Sequence, residues 1–360
     1  MSVRLGYRLA MMKKPTRCDI FCAVVDNFGD AGVSWRLARQ LADEHGWQVR
    51  LWIDDPAPLQ RMAPDLAAGP VDVRAWPTSW PTPWPATDCA DVVIEAFACE
   101  PPLPYVEAMA ARARPPVWLN LEYLSAEPWV AGCHGMRSPH PRLPLVKHFF
   151  FPGFEETTGG LLRERNYDAR RSRFDEAAFR AEFGLPPRTA DELVISLFSY
   201  DNPALPELMR AWAASTRPIR VLRPGLGETT HGNGNLSLHP LPFLPQPRYD
   251  ELLWACDLNF VRGEDSFVRA QWAASPFVWQ IYPQAENAHL VKLEAFLAIH
   301  PAGAQLRAFW QAWNGAGILD WQGFAASLPT LRAPMRQWAQ TLAARPDLAG
   351  KLVQFCRESL

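Results

Sequence analysis

Two runs in this chain place charged and hydroxyl side chains where an apolar strand gives way to a helix, the position at which open α/β sheets do their chemistry. The first is Asp26-Asn27-Phe28-Gly29-Asp30-Ala31-Gly32-Val33-Ser34. Of a dinucleotide-binding fingerprint only Gly29 and Gly32 are present, and Asp26 and Asp30 would repel a pyrophosphate, so that reading fails on charge. Two carboxylates four residues apart above a sheet make an acid/base or cation-binding pair; the competing assignment is that Asp26 holds the turn and Asp30 caps the helix. The second run is Arg262-Gly263-Glu264-Asp265-Ser266-Phe267-Val268-Arg269. A guanidinium fork and free amides at a helix N-terminus suit a diphosphate; the competing assignment is a capping box with surface charges. Its acidic pair, Glu264 and Asp265, fits a phosphate site only if one carboxylate faces sugar or ribose hydroxyls. Phe198-Ser199-Tyr200, Phe243-Leu244-Pro245-Gln246 and Tyr282-Pro283-Gln284 fall just past strands or in loops. There rings and amides either sandwich and hydrogen-bond a base or simply pack.

The elements that must position these groups repeat in two halves. Ile20–Val25 and Gln48–Ile53 read as buried strands with a helix over Trp35–Ala42 between them, and strands follow at Val71–Arg74, Asp91–Phe97 and Val117–Leu121. Strand, helix, strand at this spacing predicts a parallel sheet with crossover helices. A second unit begins near Glu192 and continues through Ile219–Leu222, Leu236–Leu241, Leu258–Val261 and Phe277–Ile281. The expected organisation is a first domain over 15–165, a linker over 166–190, a second domain over 191–340, and a C-terminal helix over 341–360 packing back toward the first. Trp76–Pro85, with tryptophans at every fourth position, is either a polyproline ligand or a rigid loop whose rings pack on the body.

Composition narrows the classes. With 36 basic and 38 acidic residues in 360, the net charge of -2 gives no basis for sequence-independent adhesion to nucleic acid. No apolar run is long enough for a membrane span. Seven scattered cysteines without a C-x-x-C pair read as reduced thiols of a cytoplasmic protein. None of the eight histidines has metal-ligand spacing, and no P-loop or serine nucleophile elbow occurs. The first ten residues lack a signal-peptide core, and Met11 or Met12 is an alternative start.

The run Asp26–Leu41, together with Val93–Cys99, Trp118–Glu127, Arg262–Ser266 and Gln280–Gln284, resembles the signatures of the bacterial elongation factor P arginine rhamnosyltransferases, from about Thr16 to the C-terminus. The resemblance implies an α/β, GT-B architecture of two Rossmann-like, doubly wound domains facing a central cleft. It implies transfer of rhamnose from dTDP-β-L-rhamnose to one arginine of elongation factor P, with inversion, without a metal or other cofactor, in support of ribosomes stalled at consecutive prolines. It assigns Asp30 as general base, Asp26 as the carboxylate that orients the arginine, and Glu264 to the reacting centre. Asn27, Phe198, Tyr200, Phe243, Gln246 and Tyr282 would surround the donor, with Arg262, Asp265 and Ser266 on the diphosphate and its neighbours. Two other functions are weighed against it: a sugar-nucleotide transferase or epimerase without a protein acceptor, and a non-catalytic nucleotide-sensing module.

Overall fold

The computed structural model describes residues 14–225, 231–301 and 303–359. The alternative starts Met11 and Met12 lie outside them. The first sheet is built from β1 (Arg17–Cys22), β2 (Gln48–Ile53), β3 (Val71–Ala75), β4 (Val92–Ala96), β5 (Val117–Leu121), β6 (Arg137–Pro139) and β7 (Val146–Phe150), in the order β3-β2-β1-β4-β5-β7-β6. All its pairings are parallel except β6 with β7. The second sheet has β8 (Leu193–Leu197), β9 (Ile219–Pro224), β10 (His231–Asn233), β11 (Leu236–Leu241), β12 (Leu258–Arg262) and β13 (Phe277–Gln280), in the order β10-β11-β9-β8-β12-β13. Here only β10 is antiparallel to its neighbour. Strands covered by helices on both faces read as continuous apolar runs, and β4, β5 and β8 are buried at every position.

Strand order reverses between β1 and β4 in one sheet and between β8 and β12 in the other, which opens a crevice at each switch point. The segments leaving these strands are the ones singled out from the sequence: Asp26 after β1, Phe198 after β8, and Gly263 after β12.

Three expectations need correction. Strand β1 ends at Cys22 rather than Val25, because the next amides turn to carboxylates: Val24 N–H donates to Asp54 (2.8 Å) and Val25 N–H to Asp30 (2.8 Å). The following helix, α1 (Asn27–His45), starts eight residues before Trp35 and takes in Asn27–Ser34. The 166–190 segment is no bare linker. It forms the helices Tyr167–Ser172 and Glu176–Glu182, and Phe179 and Leu185 pack with Val194, Leu222 and Leu252 of the second half.

The C-terminal helix Leu348–Ser359 sets Leu348, Leu352, Val353 and Cys356 into the first core beside Ile20 and Leu41. The tryptophans of the 76–85 loop fold back on the body, with Trp80 and Trp84 at 5.4 and 5.7 Å from the Trp52 ring. All seven cysteines are unpaired. Among the described residues no helix is long and apolar enough to cross a membrane.

Candidate active site

The N-terminal end of α1 carries the two aspartates, and the turn is built by one of them. Asp30, buried in the first turn, accepts the backbone N–H groups of both Val25 and Asp26 on Oδ2, each at 2.8 Å. No other backbone amide among the described residues reaches its second oxygen. Asp26 supplies no side-chain cap to α1. Its Oδ2 instead accepts the Tyr200 hydroxyl at 2.6 Å, a contact from the opposite half. Glycine is required where the halves approach: Gly263 has φ +60°, and a Cβ there would stand 2.6 Å from Asp26 Oδ2. Of the competing assignment only the turn survives, and with the other residue: Asp30, not Asp26, ties it, and Asp26 faces the opposite half instead.

Burial raises both carboxyls above the ordinary range. For Asp26 the Tyr200 hydroxyl and then the Arg262 charge oppose the rise. For Asp30 the amides of Asp26 and Val25 oppose it, and the neighbouring Asp26 charge adds to it. Glu264, half-buried, accepts the Leu124 N–H at 2.9 Å, and burial together with Asp30 pushes its carboxyl up to about 8. Asp26, Asp30, Glu264, Tyr123, Tyr282 and Lys292 line one cleft of about 680 Å³.

A second cleft of about 560 Å³ is lined by Asp26, Phe28, Phe198, Tyr200, Phe243, Gln246, Arg262, Asp265 and Ser266 among others. The Arg262 guanidinium lies over two rings, 4.5 Å from the Phe198 centroid and 4.3 Å from that of Tyr200. Among the described residues it has no ion-pair partner. A flat cation held between aromatic faces at the mouth of the helix Asp265–Ala273 suits an anion that arrives with a base. The Ser266 hydroxyl accepts from the Arg262 N–H (3.0 Å) and donates to the Arg262 carbonyl, which fixes it at the start of that helix. Asp265 is held by Arg36, Nε to Oδ1 at 2.8 Å and Nη2 to Oδ2 at 3.1 Å. Gln246 donates to the Gly32 carbonyl at 3.0 Å and to Asp265 at 3.2 Å.

The fold thus brings the predicted residues into two clefts that share Asp26, with Tyr282 joining them through an edge contact to Tyr200 at 5.6 Å. The Asn27 side chain lies outside what the structure describes. Sequence reasoning missed Phe28, whose ring meets Phe243 across the cleft at 4.9 Å. Tyr123, offered by the sequence only as part of a surface that could grip the acceptor protein, lines the carboxylate cleft. That ring stacks on Phe97 at 4.4 Å, and Phe97 and Ala98 leave β4 with φ of 58° each, a left-handed turn that swings Phe97 out of the strand toward the site. The signal available was position alone, since both rings follow strand C-terminal ends. Among the described residues no group of three or more His, Cys, Asp or Glu has the geometry to hold a metal ion.

The raised carboxyl of Glu264 has a consequence for stability. An unfolded glutamate loses its proton near about 4.3, whereas the folded protein keeps this one up to about 8. The contribution is complete below the unfolded value and is lost as pH rises through 8. Denaturant midpoints should fall between pH 5 and 8, and Glu264→Gln should flatten that part of the curve. An unchanged slope in the variant would assign the dependence to other groups.

Two Rossmann-like sheets facing one another, with a phosphate-suited helix N-terminus on one side of the cleft and carboxylates on the other, define a GT-B glycosyltransferase. The calicheamicin glycosyltransferase CalG4 shares this fold, at TM-score 0.51 and 14% identity over 96% of this chain and 97% of its own. Residues 18–357 match the family model of the elongation factor P (EF-P) rhamnosyltransferase EarP, and the chain belongs to that family. It is 47% identical to a protein-arginine rhamnosyltransferase of Pseudomonas aeruginosa, over 94% of this chain and 98% of that one. A solved structure described as the structural basis for EarP-mediated arginine glycosylation of translation elongation factor EF-P matches with TM-score 0.64 and 34% identity, covering 96% of this chain and 100% of the other.

Proposed function

We propose that this protein transfers rhamnose from dTDP-β-L-rhamnose to an arginine of EF-P with inversion at the anomeric carbon. The observation that carries the reading is the meeting of two chemically opposite clefts at Asp26: one walled by aromatic rings around Arg262, the other by Asp26, Asp30 and Glu264. The first is the charge and shape for a nucleoside diphosphate, the second for a guanidinium.

Arginine is a poor nucleophile because its charge is delocalised and its proton is held far above neutral pH. Asp26 and Asp30, each with one oxygen fixed by other donors, can accept its N–H groups on the remaining oxygens and draw the positive charge toward one nitrogen. As that nitrogen bonds to the anomeric carbon, the bond from carbon to the diphosphate oxygen breaks and the departing proton passes to Asp30. Arg262 and the amides at the start of the helix Asp265–Ala273 stabilise the negative charge developing on the diphosphate. Glu264, whose carboxyl is pushed up to about 8, would ionise beside an incoming guanidinium, so acceptor binding at pH 7 should release a proton to the buffer.

The reading places the enzyme in the bacterial cytoplasm, which the unpaired cysteines favour. A test of donor and stereochemistry is turnover with dTDP-rhamnose followed by NMR of the isolated glycopeptide, with an α-linked rhamnose expected and a β-linked one contradicting inversion. Arg262→Ala should weaken calorimetric dTDP affinity at least about tenfold, a loss of about 1.4 kcal/mol; unchanged affinity would remove the diphosphate assignment.

A further inference from the structure

We infer that Arg36, a residue of the acceptor half, is a positioning residue of the donor site. It sets the Asp265 carboxylate and, with it, the Gln246 amide, so that donor affinity depends on a side chain contributed from across the cleft. The inference rests on the donor assignment made above for the Arg262 cleft.

The geometry is specific. Arg36 is buried on α1, ten residues beyond Asp26, and its guanidinium grips both oxygens of Asp265 in the other half at 2.8 and 3.1 Å. Its remaining Nη1 donates to Glu164 at 2.7 Å. Glu164 also accepts from the buried Arg269 at 2.7 Å, and Arg269 grips both oxygens of Asp250 at 2.7 and 2.8 Å. The Arg36 fork is therefore fixed from behind as well as in front.

Asp250 and Gln246 sit one helical turn apart on the helix Gln246–Ala255, so the chain of pairs leads back to the donor cleft. α1 can come this close because Gly32 faces Asp265 and Gln246, where a Cβ would stand 3.3 Å from either. A carboxylate at the mouth of the Arg262 cleft would repel a diphosphate if left free; the bidentate pair neutralises it and fixes which edge faces the ligand. One helix thus carries the carboxylates for the acceptor at its start and the clamp on the donor residues two turns further on.

The test measures dTDP binding by calorimetry for the wild-type chain, Arg36→Met, Arg36→Lys, Asp265→Asn and the Arg36→Met/Asp265→Asn double variant. Arg36→Met is expected to weaken dTDP at least about tenfold, and Arg36→Lys, which keeps the charge but loses the fork, about threefold or more. Because the two side chains act as a unit, the double variant should bind within about threefold of the weaker single variant. In turnover the loss should fall on the donor KM with kcat retained, whereas a residue serving only to hold the fold would lower the active fraction and so kcat. Wild-type affinity in both Arg36 variants, or losses that multiply in the double variant, would overturn the inference. Arg36→Lys carries the test even where Arg36→Met does not fold. A wild-type chain that fails to bind dTDP would overturn the donor assignment itself, an outcome distinct from binding that is indifferent to Arg36.

Discussion

Asp30→Asn is expected to lower the turnover number for arginine transfer by about a hundredfold or more while leaving dTDP affinity within a few-fold of wild type. The substitution is nearly isosteric. The asparagine carbonyl can still accept the Val25 and Asp26 N–H groups that Asp30 holds at 2.8 Å, so the turn at the start of α1 survives. The other oxygen becomes an NH2 group that donates where the guanidinium also donates, and the base for the departing proton is gone. Asp30 lines the cleft with Glu264 and Tyr123 rather than the one around Arg262, which is why binding and chemistry should separate. A non-catalytic nucleotide-sensing module predicts no functional loss from this change. Equal loss of dTDP binding and turnover would mean that the two clefts are not divided as described.

The second large effect concerns stability. Arg269→Met should cost about 3–5 kcal/mol, because removing one partner of a buried ion pair leaves the others uncompensated. Arg269 is fully buried, as is Asp250, and its loss leaves Asp250 Oδ1 without this partner and removes one donor each from Asp250 Oδ2 and Glu164. Arg170 alone would remain on Asp250, at 2.9 Å. The network holds three arginines (Arg36, Arg170, Arg269) against three carboxylates (Glu164, Asp250, Asp265), so any single deletion leaves a net charge inside. Removing both members, as Arg269→Met with Asp250→Leu, should cost less than the sum of the single changes. Urea midpoints of the three variants decide it, and a mild Arg269→Met would show that water or local rearrangement satisfies the pair.

Much of the site was legible because its residues follow strands directly. Asp26 leaves β1, Phe198 leaves β8 and Gly263 leaves β12, and an apolar run followed by polar residues marks such a place without knowledge of the tertiary structure. Phe243 and Gln246, after β11, and Tyr282, after β13, converge for the same reason. What stayed hidden depends on contacts across sequence distance. The pairing of Arg36 with Asp265 spans 229 residues, and nothing in the periodicity of α1 distinguishes a surface arginine from one facing another sheet.

The bonds between the Ser266 hydroxyl and the Arg262 backbone are likewise invisible in the sequence. Gly29, Gly32 and two aspartates disguise the start of α1 in the sequence; the glycines admit close neighbours and Asp30 ties the backbone that enters the helix. Near the other end of the chain the helix Trp321–Ala343 runs through Pro329 and Pro334, against the local preference of proline. Packing of Trp321, Phe324, Leu328, Leu331 and Met335 into the second core holds it together against that local preference.

The most direct test of the central claim is to incubate the protein with dTDP-rhamnose and EF-P and map the product by mass spectrometry. The account predicts a single deoxyhexose on one arginine of EF-P, lost when Asp30→Asn replaces the wild-type chain. Consumption of dTDP-rhamnose with EF-P left unmodified would contradict it.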